Sequence, residues 1–441
     1  MEETGGKKIG IWILTFFVAG TIVGSGVYML PASLASFGSI GLFSWAVMAV
    51  GAIFLALVFA KMGSLMPLPG GPYAYANAEF GEFAGFQTAY CYWFSAWVGN
   101  ASLIPPTIGY LAVFYPGAME HHLILGIMLI WVFALSNIFG VKNAGIVGFV
   151  LTIIKYLPLL LIVAIGWMYF HPVYITHNFN ISGTSGLSAF TLAAALTLWS
   201  FVGVESATVP AGSVLNPKKN IPRATIIGTV VAAALYIITC TFIMGMIPMK
   251  ELAQSTSPFA LAGQMLLGSW GAGLITIGAL CSLLGGINAF KLLETQVAMA
   301  AAHDDMFPKV FGYLNKHGVP MWGIIITSSF ASLLLYLTSS LTLMNQFELF
   351  ILAATTMAVI PYLYTSIAQI LYVNRNKGSL KGVKKSTFVA VIGGAFSLFA
   401  IVSTSHEVIY IVMILLLISI PLYAVVKVQK NKKTSSNKFS A

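Results

Sequence analysis

The chain has 441 residues, 58% of them hydrophobic and only 8% charged, with a formal net charge of +10. A mean hydropathy of +0.90 excludes a soluble globule and indicates a multispanning membrane protein. The cations lie in short loops and in the tail, so they serve topology rather than nucleic-acid binding.

Hydropathy gives about twelve spans, placed at 9–35, 39–65, 83–114, 123–140, 144–170, 188–212, 223–248, 270–301, 320–338, 346–373, 386–404 and 407–427. No cleavable signal is evident, and Lys7-Lys8 precede a retained first helix. Lys7, Lys8, Lys61, Lys142, Lys218, Lys219, Arg223, Lys309, Lys316, Arg375, Lys377, Lys381, Lys384, Lys385 and the tail lysines all fall on one side of this layout, with Lys250 the exception. Both termini are therefore expected in the cytoplasm, and the protein in the cytoplasmic (inner) cell membrane. The expected organisation is one transporter-sized membrane domain over 1–427 and a basic, disordered tail over 428–441.

The first span is interrupted by Gly20-Thr21-Ile22-Val23-Gly24-Ser25-Gly26. Glycine gives up the most backbone freedom on folding, so this stretch favours a broken helix. Irregular backbone at membrane depth must line a cavity or be buried in protein. The two half-helices then offer N–H groups and carbonyls to a small ion or a carboxylate. The alternative is a close helix–helix contact through small residues.

The third span carries Tyr92, Trp93, Ser95, Trp97 and Asn100, of which the two tryptophans read as packing. Lys155 sits in the fifth span. It either snorkels to the cytoplasmic face or is buried where its ammonium can titrate. Asn180-Ile181-Ser182, in an outer loop, is a formal glycosylation sequon of little weight.

The sixth span repeats the interruption: Leu198-Trp199-Ser200-Phe201-Val202-Gly203-Val204-Glu205-Ser206-Ala207. A carboxylate at mid-membrane costs roughly 2.5–3.5 kcal/mol on insertion scales and so faces a cavity or a partner. This break falls five spans after the first, and paired interrupted helices in matching positions point to a transporter site between repeats. Asn216 to Arg223 reads as a rigid basic connector, and Lys291 and Glu294 lie three apart on one face of the eighth span. That pair is either a buried ion pair or vestibule wall, or else Lys291 offsets Glu205 or Glu294 and disfavours dications. Cys91, Cys240 and Cys281 have no metal or CxxC spacing, and the seven histidines form no HExxH-like set, so neither metal, cofactor nor covalent catalysis is expected. No repeated filter ring marks a channel.

The residues resemble the amino acid–polyamine–organocation transporters, and within them the exchangers of basic amino acids and their decarboxylated amines, such as arginine/agmatine antiporters. The likeness is carried by Gly24-Ser25-Gly26 with Leu30-Pro31-Ala32, Pro69-Gly70-Gly71-Pro72-Tyr73-Ala74-Tyr75-Ala76, Tyr92-Trp93, Trp97-Val98-Gly99-Asn100, Leu198 to Ala207, Asn216-Pro217-Lys218, Met244-Gly245-Met246-Ile247-Pro248, Phe307-Pro308 and Pro361-Tyr362-Leu363-Tyr364-Thr365. It implies an all-α membrane fold with a LeuT-like inverted repeat of five plus five helices, helices 1 and 6 broken, and two C-terminal helices. The repeats would be about 9–170 and 188–373, with the extra helices at 386–427. It implies a substrate site between the first, third, sixth, eighth and tenth spans. Thr21, Gly24, Ser25, Gly26, Ser95, Asn100, Trp199, Val202 and Phe290 would form that site, with Ser25 and Gly26 on a substrate carboxylate and Trp199 over the aliphatic or cationic part. Tyr92, Glu205 and Tyr362 would form a bottleneck. Thr21 and Phe290 depart from the asparagine and tryptophan frequent at those places. Proton-coupled relatives carry a lysine where Lys155 stands, which keeps a proton-coupled permease for neutral or broad-range amino acids as the rival to an exchanger. The last two spans are a candidate homodimer surface.

Overall fold

The computed structural model describes residues 9–68, 70–139, 154–376 and 380–439, and omits the side chains of residues 25, 380, 381 and 432–439. Among the described residues the fold is all-helical. Eight helical stretches are long and apolar enough to cross a membrane, and three shorter apolar helices accompany them.

The first crossing is two helices, α1 (Ile11–Ile22) and α2 (Ser25–Ala35), parted by the non-helical Val23 and Gly24. After α3 (Ile40–Leu65), the short α4 (Pro72–Phe80) leads into α5 (Glu82–Ser102) and α6 (Ile104–Leu111). Next come α7 (His122–Ile138) and α8 (Tyr156–Ile165). The start of the expected fifth span, 144–153, lies outside the described residues. The sixth span begins as α9 (Gly186–Leu198) and gives way to single 3₁₀ turns at Trp199–Phe201 and Ser206–Thr208. The remainder is α10 (Pro217–Met246), α11 (Pro258–His303), α12 (Met321–Leu337), α13 (Leu343–Arg375), α14 (Leu380–Val402) and α15 (His406–Phe439).

Burial sorts these helices into an inner and an outer set. The most apolar window is 65% buried in the first span and 67% in both the sixth span and α13, but 28% in α14 and 17% in α15. The α15 side chains Tyr410, Met413, Ile414 and Leu417 are exposed, as lipid-facing residues are. Nearly every residue of α5 from Ala84 to Ser102 is buried. Enclosed by protein, α5 is built of aromatic, small and polar residues, which is why it falls short of the hydropathy that marks the others.

Small residues set the close crossings. A Cβ on Gly228 of α10 would lie 2.7 Å from Val18 of α1, and one on Gly51 of α3 would overlap the ring of Phe396 of α14. A parallel bridge, Ile9 N–H to Ser213 O and Leu215 N–H to Ile9 O, both 2.9 Å, ties the start of the first span to the end of the sixth.

Three sequence expectations need correction. The eighth span, placed at 270–301, begins earlier: α11 starts at Pro258 and bends at Leu267 and Gly268, where Gly268 takes φ +65°. The basic connector is already helical, since α10 starts at Pro217, a residue whose fixed φ suits a first turn. The tail is not disordered at its start, because α15 carries on to Phe439 and its Lys427 and Lys430 both reach Glu82, at 2.5 and 2.6 Å.

These hydrogen bonds from Lys427 and Lys430 pull the Glu82 carboxyl down to about 2. A depressed carboxylate contributes fully above its ordinary range, and the contribution is lost as pH falls through the folded value. The clamp should therefore hold unchanged from pH 5 to 8. Glu82→Gln should raise amide exchange near Lys427, read by hydrogen–deuterium exchange, and molar salt should do the same to the native protein because the pair is half exposed. Equal protection in variant and native protein would contradict the clamp.

Candidate functional site

The two helix breaks meet. A Cβ on Gly26 would sit 2.9 Å from Ser200 Oγ and 3.3 Å from Trp199 Cδ1, while one on Gly203 would touch Thr21 Cγ2 at 3.0 Å. Gly203 has φ +111°, a conformation that glycine tolerates and other residues rarely adopt.

At the first break, the C-terminal carbonyls of α1 have lost their helical partners. Lys155 Nζ donates to Gly20 O at 2.5 Å and to Val23 O at 2.9 Å, and its side chain is buried. Of the two sequence alternatives, snorkelling is therefore excluded in this conformation. Tyr236, from α10, spans the same gap: its hydroxyl donates to Ile22 O at 2.8 Å and accepts from Gly24 N–H at 3.1 Å. Sequence reasoning missed Tyr236, whose only signal is one hydroxyl-bearing aromatic in a long apolar helix.

At the second break, Glu205 is 1% exposed and fully engaged. It accepts from Tyr92 Oη of α5 at 2.8 Å, from Tyr362 Oη of α13 at 2.5 Å and from Gly203 N–H at 3.1 Å. The sequence-named trio of Tyr92, Glu205 and Tyr362 is thus one hydrogen-bonded cluster joining three spans. Charge-assisted bonds of this kind hold a carboxylate in a low-dielectric interior.

The ring of Trp199 stacks on Phe290 of α11, with centroids 6.1 Å apart and planes at 17°. Gly99 of α5 lies against both, since a Cβ there would come within 2.8 Å of Trp199 Cη2 and 3.1 Å of Phe290 Cε1. The next residue, Asn100, donates from Nδ2 to Glu294 Oε2 at 3.2 Å. Lys291 pairs with Glu294 at 2.7 Å, both fully buried, so its charge is set against that of Glu294.

The remaining sequence-named residues divide. Ser95 is buried on α5, and Val202 is half-buried with its N–H donated to Trp199 O at 3.2 Å. Thr21 is exposed and spends its hydroxyl on Phe17 O at 2.8 Å, so it presents a methyl rather than a polar contact to Gly203. Ser25 opens α2, and its side chain is outside those described. Trp93 and Trp97 pack edge-on against Phe307, Phe311 and Phe94.

Trp199, Glu205 and Tyr362 are all closed off from solvent. A cleft of about 470 Å³ opens elsewhere, between α4, the start of α5, the end of α11 and α15. Tyr73, Glu82, Asp304 and Lys427 line it, and none of the sequence-named site residues does. Among the described residues, no group of three or more His, Cys, Asp or Glu side chains could hold a metal.

Comparison with known proteins gives a consistent picture. Residues 9–418 match the amino acid permease family. The chain is 33% identical over 417 residues to the cadaverine/lysine antiporter of Escherichia coli strain K12, which covers 90% of each chain. It is 30% identical over 411 residues to the putrescine transporter PotE of the same organism, covering 92% of this chain and 93% of the relative. With the putrescine transporter PotE of Haemophilus influenzae it shares 31% over 408 residues, covering 91% and 93%.

Proposed function

The chain belongs to the amino acid permease family, and from that premise we propose that it is a membrane transporter exchanging a basic amino acid for an aliphatic diamine or another amino acid. The relatives, a cadaverine/lysine antiporter and putrescine transporters, support lysine and its class of diamines as substrates. Their likeness extends over nine-tenths of the chain.

The observation that carries the reading is the seat of Glu205. One carboxylate is buried at the second helix break and tied to two further spans, in the same interrupted span as Trp199, whose ring stacks on Phe290. A cation is well served by that combination. The carboxylate of an amino acid is well served by the first amides of α2, around Ser25 and Gly26. Trp199 and Phe290 would cover the aliphatic part, with Ser95, Asn100 and Val202 completing the wall. Tyr92, Glu205 and Tyr362 would close the way out and part when the substrate moves on.

In this reading the paired breaks belong to two inverted five-helix repeats, residues 9–170 and 188–373, with α14 and α15 outside them, and both termini are cytoplasmic. Rocking of one repeat against the other gives alternating access. Lys155 favours a second reading, a proton-coupled permease. A fixed ammonium on the carbonyls of the first break occupies a place suited to a metal cation, and losing its proton would loosen that break. The test is uptake of labelled lysine, cadaverine and putrescine into vesicles holding the purified protein, and failure with all three refutes the exchanger.

A further inference from the structure

The buried pair Lys291–Glu294 reaches the site through Asn100. Its surroundings are closed and specific. Lys291 Nζ donates to Glu294 Oε1 at 2.7 Å and to Ser328 Oγ of α12 at 3.0 Å. Thr327 of α12 donates to the same Glu294 oxygen at 2.5 Å. The other oxygen, Oε2, receives the Asn100 amide at 3.2 Å.

An asparagine side chain has two faces of opposite character, a carbonyl that accepts and an NH₂ that donates. A carboxylate paired to a lysine can only accept. Glu294 therefore holds the NH₂ end of Asn100 and turns the carbonyl end away from itself. That oxygen, Asn100 Oδ1, is buried and has no protein donor among the described residues, and the residue as a whole is 3% exposed. A buried acceptor left unmatched is costly and calls for a donor. Asn100 directly follows Gly99, the residue against which Trp199 and Phe290 pack, and Lys291 directly follows Phe290.

We infer that Lys291 and Glu294 are positioning residues that fix the Asn100 amide so that its carbonyl oxygen receives the distal ammonium of the substrate, which selects against neutral amino acids of the same length. This rests on the transport reading above. The pair carries no net charge, so it adds little attraction of its own. Glu205 supplies the charge, and the pair decides which end of an uncharged group meets the substrate. An ammonium has only donors and satisfies Oδ1, whereas a methyl end leaves it unmatched. With the amide turned round, NH₂ would oppose the ammonium.

The test compares exchange of lysine with that of norleucine, which lacks only the distal amine, in proteoliposomes. Lys291→Met with Glu294→Gln keeps net charge and volume but lets residue 294 either donate or accept. It should lower the lysine-over-norleucine ratio of kcat/KM about tenfold, the scale of one charge-assisted hydrogen bond. The loss should appear in KM for lysine, with kcat and norleucine within about twofold. In an Asn100→Ala background the same double change should alter the ratio no further, because it acts through Asn100. Should the double variant not purify as a single species, Asn100→Ala alone should lower the same ratio about tenfold, and an unchanged ratio overturns the inference. Equal loss for both substrates, an unchanged ratio, or effects that multiply with Asn100→Ala would each overturn the inference. Wild-type protein that exchanges no lysine would instead refute the transport reading on which it stands.

Discussion

Replacing Glu205 by alanine should reduce exchange at least about a hundredfold, while the variant still purifies as a folded, monodisperse protein. Glu205 accepts three hydrogen bonds from Tyr92, Tyr362 and Gly203, in a place closed to solvent. One charge-assisted contact from a substrate ammonium to this carboxylate is worth about 1.5–3 kcal/mol, the scale of the roughly 2.7 kcal/mol of a hundredfold change. The residues left behind are two phenols and an amide, which lose an acceptor but bury no unpaired charge. The fold should therefore survive what the function does not. Glu205→Gln separates geometry from charge. Its amide still accepts from one tyrosine but carries no charge to attract a substrate cation, so exchange should fall by a similar factor with the cluster largely intact. Binding of labelled lysine to purified protein, with exchange in vesicles, reads both variants. A variant within threefold of wild type in both assays would contradict the assignment.

Lys155→Met should produce a clear loss of stability, because it strips two carbonyls of their donor at the break of the first span. Gly20 O and Val23 O are left without the ammonium they share. An unsatisfied buried group costs about 1–3 kcal/mol, so the pair of carbonyls costs about 2–6 kcal/mol and the melting temperature should fall by several degrees. Tyr236 still bridges Ile22 O and Gly24 N–H, so the break itself should persist. The same variant addresses coupling. If the exchanger reading is right, lysine–cadaverine exchange continues at reduced stability and needs no proton gradient. Loss of accumulation driven by a proton gradient, with exchange of unlabelled for labelled substrate retained, would favour the permease. An unshifted melting temperature would show that Lys155 does not hold the break.

How much of this was legible beforehand follows from which physics each feature depends on. A span depends on composition over about twenty residues, so a multispanning helical protein was readable, and eight long apolar helices bear that out among the described residues. The breaks depend on local backbone cost, and Gly24 and Gly203 announced them. The contact of Glu205 with Tyr92 and Tyr362 came from resemblance, since nothing in spacing ties residues on three separate spans. The Lys291–Glu294 pair was visible as a three-residue helical spacing, but its hold on Asn100 depends on how α5 crosses α11. The choice for Lys155 between snorkelling and burial likewise depends on the direction its helix faces. Tyr236 was out of reach for that reason too, and so was the kink at Gly268, a lone glycine in an apolar run. Persistence of α15 past Lys427 reflects a partner, Glu82, more than 300 residues away.

Counterflow tests the central claim most directly. Vesicles holding the purified protein are loaded with unlabelled lysine, or left empty, and uptake of labelled cadaverine is followed without any imposed proton gradient. The exchanger predicts rapid uptake into loaded vesicles, near-zero uptake into empty ones, and loss of the uptake into loaded vesicles on Glu205→Ala. Uptake into empty vesicles that appears only with a proton gradient, and that includes neutral amino acids, would contradict it and place Lys155 at the centre of the mechanism.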